Sequence, residues 1–411
     1  MGMSSVTFDY EASCRAFVRD VKSGVDAHFR DTGLSKHANA AMVVKTVILL
    51  TAYFGSYTLI LSGLLSLAVM WLLCLVMGVA MAGIGFCVAH DALHGAYSAN
   101  PRVNRTLGYL FDALGANSYI WKLTHNVIHH TYTNINGYDE DLEVSPLIRL
   151  SPHTPHQPFH RFQHVFAFVA YSFATIFWLF VKDYKYFLKG NLGPFRGKRH
   201  PAQEWTILFA GKVLYYLSMI ALPFVCLNIT WWQFLIGFLS VHLTAGLILG
   251  VVFQLAHVVE PTTHVAREDA AAIKHVWMAH QMRTTNNFAR GNRLLAWYVG
   301  GLNHQIEHHL FPKICHVHYR NLSPIVERTA RAHGLPYHSQ PSLRQAIGSH
   351  YRTLRRFGDP TFARRRLEHA SHRGRGTQRE AVIKGQGAHQ ANIATISLYD
   401  RRNGLGIAGF G

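Results

Sequence analysis

Charge is scarce in this chain. Lys, Arg, Asp and Glu make up 15% of its 411 residues while 49% are hydrophobic; a typical soluble domain carries about a quarter charged residues. From Thr46 to Ala89 no charged residue occurs at all. That excludes an ordinary soluble surface for the stretch and leaves room for two membrane spans of about 20 residues each, turning near Ser62-Gly63. Acidic residues are the scarcer sign, 22 against 40 Lys and Arg, for a net charge of +18. Such an excess suits an anionic membrane surface or nucleic acid. With apolar spans present and no nucleic-acid motif, the membrane is the expected partner and no nucleic acid is expected. The five cysteines (14, 74, 87, 226 and 315) form no CxxC or paired spacing, so nothing asks for an oxidising compartment. An early apolar segment is missing, which argues against a cleaved signal peptide, and Val6 stands where myristoylation needs Ser or Thr.

What is present falls into segments. Residues 1–41 are polar and mixed in charge, and predict one or two cytoplasmic helices lying against the membrane. After the first charge-free stretch, residues 100–164 are polar, Pro-punctuated and rich in histidine. Three further apolar runs come next, Val165–Val181, Val213–Leu227 and Trp231–Val259, and residues 265–351 return to soluble-like sequence. Residues 352–402 hold 12 Lys and Arg against 4 Asp and Glu, and with the Gly-rich end they predict a disordered basic tail. The division expected is 1–41, a membrane domain over 42–351, and a tail over 352–411.

Histidine is abundant, 28 in all, and it is clustered. His90 and His94 in HDALH are spaced i, i+4, as are His125 and His129 in HNVIHH, which puts each pair on one helix face. His130 sits about 100° further round an α-helix. His308 and His309 close QIEHH, and His257 closes the apolar run ILGVVFQLAH. A lone histidine is normally a surface or packed residue; three clusters point to a metal site. Many convergent imidazoles suit a redox iron pair better than a closed structural zinc.

If the clusters meet, an even number of crossings must separate His130 from His257. Three apolar runs lie between them, so one does not cross. Val165–Val181, short and aromatic, is the run expected to lie in the interface. This predicts an all-α membrane protein with four transmembrane helices in two hairpins, an interfacial helix, and a cytoplasmic helical cap holding the metal site. Lys and Arg outside the uncharged hairpin turns place the histidines, and both termini, in the cytoplasm.

Over roughly residues 40–350 the chain resembles the integral-membrane fatty acid desaturases, and most closely their front-end (Δ6/Δ5) bacterial branch. HDALHG is similar to that family's first histidine box, HNVIHHTYTN to the second and GGLNHQIEHHLFP to the third, with Gln305 at the variant position. The resemblance implies two Fe ions, O2 as co-substrate, and an acyl-lipid or acyl-CoA substrate. Its ligands would be His90, His94, His125, His129, His130, His308 and His309, with His257 as the extra histidine and Gln305 as a weak ligand or a holder of water. No HPGG haem motif occurs, so electrons are expected from a separate ferredoxin or cytochrome b5-like protein with its reductase. The bacterial inner membrane is the expected location.

Abstracting hydrogen from an unactivated methylene is beyond acid–base side chains and needs a metal–oxygen oxidant. Imidazole ligands in turn need partners on the other ring nitrogen. Asp91, Asp139, Asp141, Glu260 and Glu307 are candidates by proximity, with Asn286 and Asn287, and His304 is expected to pack. The boxes equally suit a lipid hydroxylase or ketolase, or a Δ9-type desaturase. A metal transporter or haem protein fits less well, because transport puts polar residues at mid-membrane and haem needs only one or two axial histidines.

Overall fold

Lys45 ends the charge at the first membrane helix, and the residues around it decide where that helix starts. In the computed structural model, which describes residues 12–362 except 144, 196, 198, 271, 272, 274 and 275, Asn39 caps it by accepting from the Met42 N–H. Helix α1 (Ala12–Thr32) precedes it. Among the described residues, four helices are long and apolar enough to cross a membrane, and the first two are α2 (Ala40–Leu61) and α3 (Leu67–Leu93). After α3 come α4 (Pro101–Gly108), capped by Asn100 with Pro101 in its first turn, and α5 (residues 118–132), capped by Asn117.

The run expected to lie in the interface forms two helices, α6 (Pro158–Ser172) and α7 (Ala174–Leu188), bent by 62° at their junction. Next are the remaining long apolar helices, α8 (Ala202–Cys226) and α9 (Trp231–His257). At about 1.5 Å per residue, the 27 residues of α3 and of α9 each reach about 40 Å. A hydrocarbon core of about 30 Å is shorter than that, so an end of each helix can stand clear of the lipid. His90 and His257 are at those ends. The turn at Gly63, between α2 and α3, lies beside Cys226 and Leu227, which close α8.

Beyond α9 the chain builds α10 (Trp277–Thr284), α11 (Gln305–Leu310), α12 (Tyr319–Ala332) and α13 (Leu343–Gly358). A parallel pair of two-residue strands, β1 (Asn287–Phe288) and β2 (Ser339–Gln340), interrupts the otherwise helical order. The largest buried core lies between α2, α3 and α9 and includes Met42, Tyr53, Met77, Ala80, Ile84, Ala245 and Leu255. Close packing against the bent pair depends on Gly246. A Cβ there would collide with the Ser172 carbonyl at the bend, so only glycine lets α9 approach it.

Two expectations need correction. Helix α1 forms, but its apolar stripe does not lie against a membrane. Cys14, Phe17 and Val21 pack with Met282, Ile306, Leu310, Val326 and Ala330 of α10, α11 and α12. Val25 and Phe29 continue the stripe onto Ile314, Tyr319 and Leu322. The spacing of four specifies an amphipathic helix, and the receiving surface is protein. Second, the boundary expected between 351 and 352 falls inside α13, whose Leu354 and Phe357 are buried. The rest of the expected tail from residue 363 on, and residues 1–11 of the first segment, lie outside the described residues.

Lys212 and Asp183 show how a buried charge is accommodated at the edge of an apolar helix. The Lys212 ammonium donates to Asp183 at 2.7 Å and to the carbonyls of Gly115, Leu179 and Trp178. Each proton finds an acceptor, the condition under which a buried ion pair is tolerable. This ties α8 to α7 and to the loop before α5.

Candidate metal centre

The helices bring all eight nominated histidines to one place, and every one is buried. His90, His94, His125 and His308 each offer a ring nitrogen within 4.8 Å of the others. His129, His257 and His309 form a second such group, and His130 forms a third with His308 and His309. The His130 and His309 rings stack with centroids 4.3 Å apart, so the groups are contiguous. Trp121 flanks the cluster, stacked on His125 at 4.4 Å, and Phe253 packs against both His129 and His257.

Local backbone geometry delivers two of the clusters. Ile84–Ala89, just before His90, and Lys122–His129 are π-helical, with a wider turn than an α-helix. The angular placement of His130 expected from an ideal α-helix is therefore altered. Such turns occur mostly as short insertions, frequently at functional sites.

Each histidine of the second and third boxes, apart from His130, is held from outside. His129 Nδ1 lies 3.0 Å from Asp139 Oδ2, and His125 Nδ1 lies 3.4 Å from Asp141 Oδ2. His309 Nδ1 lies 2.7 Å from Gln281 Oε1, His308 Nδ1 is 3.2 Å from the Tyr319 hydroxyl, and His257 Nδ1 is 3.3 Å from the Thr284 carbonyl. A carboxylate, an amide oxygen or a carbonyl can only accept, so each Nδ1 facing one carries the proton and the lone pair is on Nε2.

On the inner side the Nε2 atoms of His94, His125, His129, His308 and His309 are buried without a hydrogen-bond partner, as are both ring nitrogens of His130. A buried polar atom left bare is costly, and several aimed at one region fit a metal that would bind there. His257 Nε2 faces the Gln305 amide nitrogen at 3.1 Å, which brings Gln305 into the same centre.

Electrostatics agree with ligand chemistry. Burial, and then the neighbouring imidazoles, hold His94, His130, His308 and His309 well below the ordinary histidine pKa. Burial likewise takes His125 down to about 3, against the opposing pull of Asp141. These rings are neutral, the form that binds a metal. His129 is the exception. Burial lowers it, but the Asp139 carboxylate more than offsets that and leaves it raised. Asp141 is held below the ordinary carboxylate range despite burial, by Lys182 of α7 and by His125.

The other candidates divide. Asp91 is buried with Oδ1 3.8 Å from His90 Nδ1, and its hydrogen bond goes to His316 at 2.8 Å. Glu307 and Asn287 bond to one another at 2.9 Å, and Tyr337 donates to Glu307 at 2.7 Å. They brace α11, and neither bonds to a ring of the cluster. Burial raises Glu307 to about 7. Asn286 donates to the Leu255 carbonyl. Glu260 is not at the centre: the chain turns outward after α9, and Glu260 forms an exposed fork with Arg352. His304 is packed and buried, with Glu307 Oε2 3.9 Å from its Nδ1. Gln281, Tyr319, Thr284 and His316 carry no signal in the sequence. They reach the site from irregular segments or a distant helix, where no spacing rule marks them.

A profile of the fatty acid desaturase family matches residues 65–341. The sn-1 linoleoyl-lipid 6-desaturase of Synechocystis sp. is 36% identical over 345 residues, 84% of this chain and 96% of that protein. The enzyme of the same name from Arthrospira platensis is 33% identical over 86% of this chain and 95% of its own length. The acyl-lipid (8-3)-desaturase of Physcomitrium patens is 33% identical over 87% of this chain and 75% of its own. Four apolar helices long enough to cross a membrane carry a buried histidine centre, and both the profile and the relatives extend over that centre. The chain belongs to the fatty acid desaturase family and is an oxidoreductase integral to a membrane.

Proposed function

We propose that this chain is a front-end desaturase that places a double bond in the acyl chain of a membrane lipid, at a fixed count from the carboxyl carbon. The observation that carries the chemistry is the ring of inward Nε2 atoms without partners. The substrate class rests on relatives named as linoleoyl-lipid and acyl-lipid desaturases, with acyl-CoA as the other carrier of the same chain.

His90, His94, His125 and His308 would hold one iron, and His129, His257 and His309 the other, with His130 at their junction and Gln305 as a weak ligand or water holder beside His257. When bound, the two irons supply the oxidising power to remove two hydrogens from adjacent methylenes, with O2 and two external electrons balancing the reaction as water. The chain's own residues do the rest. Asp139, Asp141, Gln281, Tyr319 and the Thr284 carbonyl hold the Nδ1 side of His129, His125, His309, His308 and His257, so these five rings present the same nitrogen. Asp91 stands beside His90, while Glu307 and Asn287 hold α11 in place. Burial of the whole cluster excludes bulk water from the reacting region.

Topology is set by parity. The end of α3 and the end of α9 share one centre, so an even number of crossings separates them. With α8 and α9 crossing, the bent pair α6–α7 does not cross. The spans then form two hairpins, α2–α3 and α8–α9, below a helical cap. The position of Gly63 beside Cys226 and Leu227 supports hairpin turns on the same side. Lys and Arg on the cap side favour the cytoplasm, in a bacterial inner membrane, with both termini cytoplasmic. The desaturase domain runs from residue 42 through α13, which seals its end at Gly358, and α1 packs onto its cap. Electrons come from a ferredoxin or cytochrome b5-like protein with its reductase.

Feeding acyl chains of three lengths to a host that expresses the protein tests the assignment, with double bonds located by mass spectrometry. A bond that keeps its distance from the carboxyl carbon is expected. A bond that tracks the methyl end refutes the front-end reading, and an added oxygen instead of a double bond refutes desaturation.

A further inference from the structure

Beside the histidine centre lies a second buried polar cluster that the reaction does not use. Asp91, Cys315 and His316 offer a carboxylate oxygen, a sulfur and a ring nitrogen within 4.8 Å of one another. His316 Nδ1 is 2.8 Å from Asp91 Oδ2, and the His316 backbone N–H donates to the same oxygen at 3.1 Å. Two donors at this separation have the spacing of neighbouring ligands around a metal about 2.0 Å from each. Carboxylate, thiolate and imidazole are all groups that divalent metals accept. Left open, one residue from His90, such a cluster would compete for metal.

The chain supplies its own cation there. Lys45 Nζ lies 2.9 Å from His316 Nε2, its side chain only 4% exposed. The Trp297 ring lies 5.3 Å from the same nitrogen. An ammonium has protons and no lone pair, so Lys45 donates to Nε2 and the ring proton stays on Nδ1, facing Asp91. A buried ammonium is costly unless paired; Asp91, on the far side of the ring, balances it. The row Lys45–His316–Asp91 joins the start of α2, the segment after α11 and the end of α3.

We propose that Lys45 is a tethered cation. It keeps the Asp91–Cys315–His316 cluster closed to metal ions and steadies Asp91 beside His90. Removing the ammonium releases its hold on the ring tautomer, so the proton can move to Nε2 and leave His316 Nδ1 open, with Asp91 and Cys315, to a metal.

Cobalt(II) titration of the purified full-length protein tests this, because a cobalt–thiolate bond adds a near-ultraviolet charge-transfer band that histidine-only sites lack. Lys45→Met should take up one additional cobalt per chain and show the band, and a Lys45→Met, Cys315→Ser double variant should lose it. Lys45→Arg, which keeps the cation, should stay closed like the parent. Should Lys45→Met fail to insert, Lys45→Leu also removes both the charge and the hydrogen-bond donor, and the same band is expected of it. Absence of the thiolate band in an inserted Lys45→Met or Lys45→Leu protein overturns the proposal, as does its presence in the parent. Because the signal comes from Cys315, the outcome is independent of how the eight-histidine centre is loaded.

Discussion

The second histidine box and the third are built from the same ligand type and supported in different ways. Behind His125 and His129 stand carboxylates, Asp141 and Asp139. Behind His308 and His309 stand neutral groups, the Tyr319 hydroxyl and the Gln281 amide, and behind His257 a backbone carbonyl. A carboxylate draws the Nδ1 proton more strongly and so makes Nε2 a better donor, while a neutral acceptor orients the ring with less effect on its basicity. The pKa directions show this contrast at its clearest point: His129 is raised, and His308 and His309 are lowered. Within the second box His129 is tuned as well as aimed, while for His125 burial outweighs Asp141 and the ring stays lowered; the third box is mainly aimed.

The comparison can be broken at the ligands themselves, where the largest effect is expected. His129→Ala and His308→Ala should each abolish product while the protein remains in the membrane fraction, because insertion depends on the apolar helices. His242→Ala is the control. His242 is satisfied on both ring nitrogens by Tyr215 and Thr175, away from the centre. Fatty acid analysis beside a membrane immunoblot checks the pair, and an equal loss in the His242 variant would show the histidines to be wrongly divided.

The next effect separates tuning from aiming. Asp139→Asn removes the charge behind His129 and keeps the shape; loss of an outer partner of this kind typically costs about 10–100-fold in metal affinity or activity. Iron retained under a chelator challenge, measured against turnover, reports both. Tyr319→Phe removes a neutral partner from His308, worth about 0.5–1.5 kcal/mol, and should weaken iron retention only about two- to tenfold. If the two variants lose iron equally, the contrast between the boxes fails. Smallest of all is truncation after Pro360, expected to leave product formation unchanged, since the last buried residues of α13, Phe357 and Gly358, precede the cut. A stable but inactive truncated protein would show that the removed segment acts on the site.

The histidine boxes and apolar helices were legible because both are written in local spacing. Asp139 and Asp141 were found for the same reason, lying within a dozen residues of His129. Glu260 shows the limit of that logic: three residues beyond His257 in sequence, it leaves the centre once α9 ends. Gln281, Tyr319 and His316 were invisible because their partners lie across loops or on helices with no shared period. Helix α1 was legible as amphipathic from Phe17, Val21, Val25 and Phe29, but periodicity cannot tell a membrane from a protein surface as the receiver. For the same reason the arginines after residue 351 obscured Leu354 and Phe357, which continue a helix begun at Leu343.

The wide turns at Ile84–Ala89 and Lys122–His129 have a consequence for how this gene can vary. A π-turn holds one residue more than the surrounding α-helix requires, and each α-helical residue advances the chain by about 100°. Loss of a single in-frame codon within Ile84–Ala89 is therefore absorbed: the helix relaxes to a regular winding, and His90 and His94 keep their direction. The same loss in the α-helical part of α3 upstream of that turn swings both histidines by about that angle, with every box residue still present. Tolerance to a one-residue deletion should therefore be higher in the wide turn ahead of the first box than in the α-helical residues before it, whereas the second wide turn carries His125 and His129 itself and offers no such spare residue outside its box.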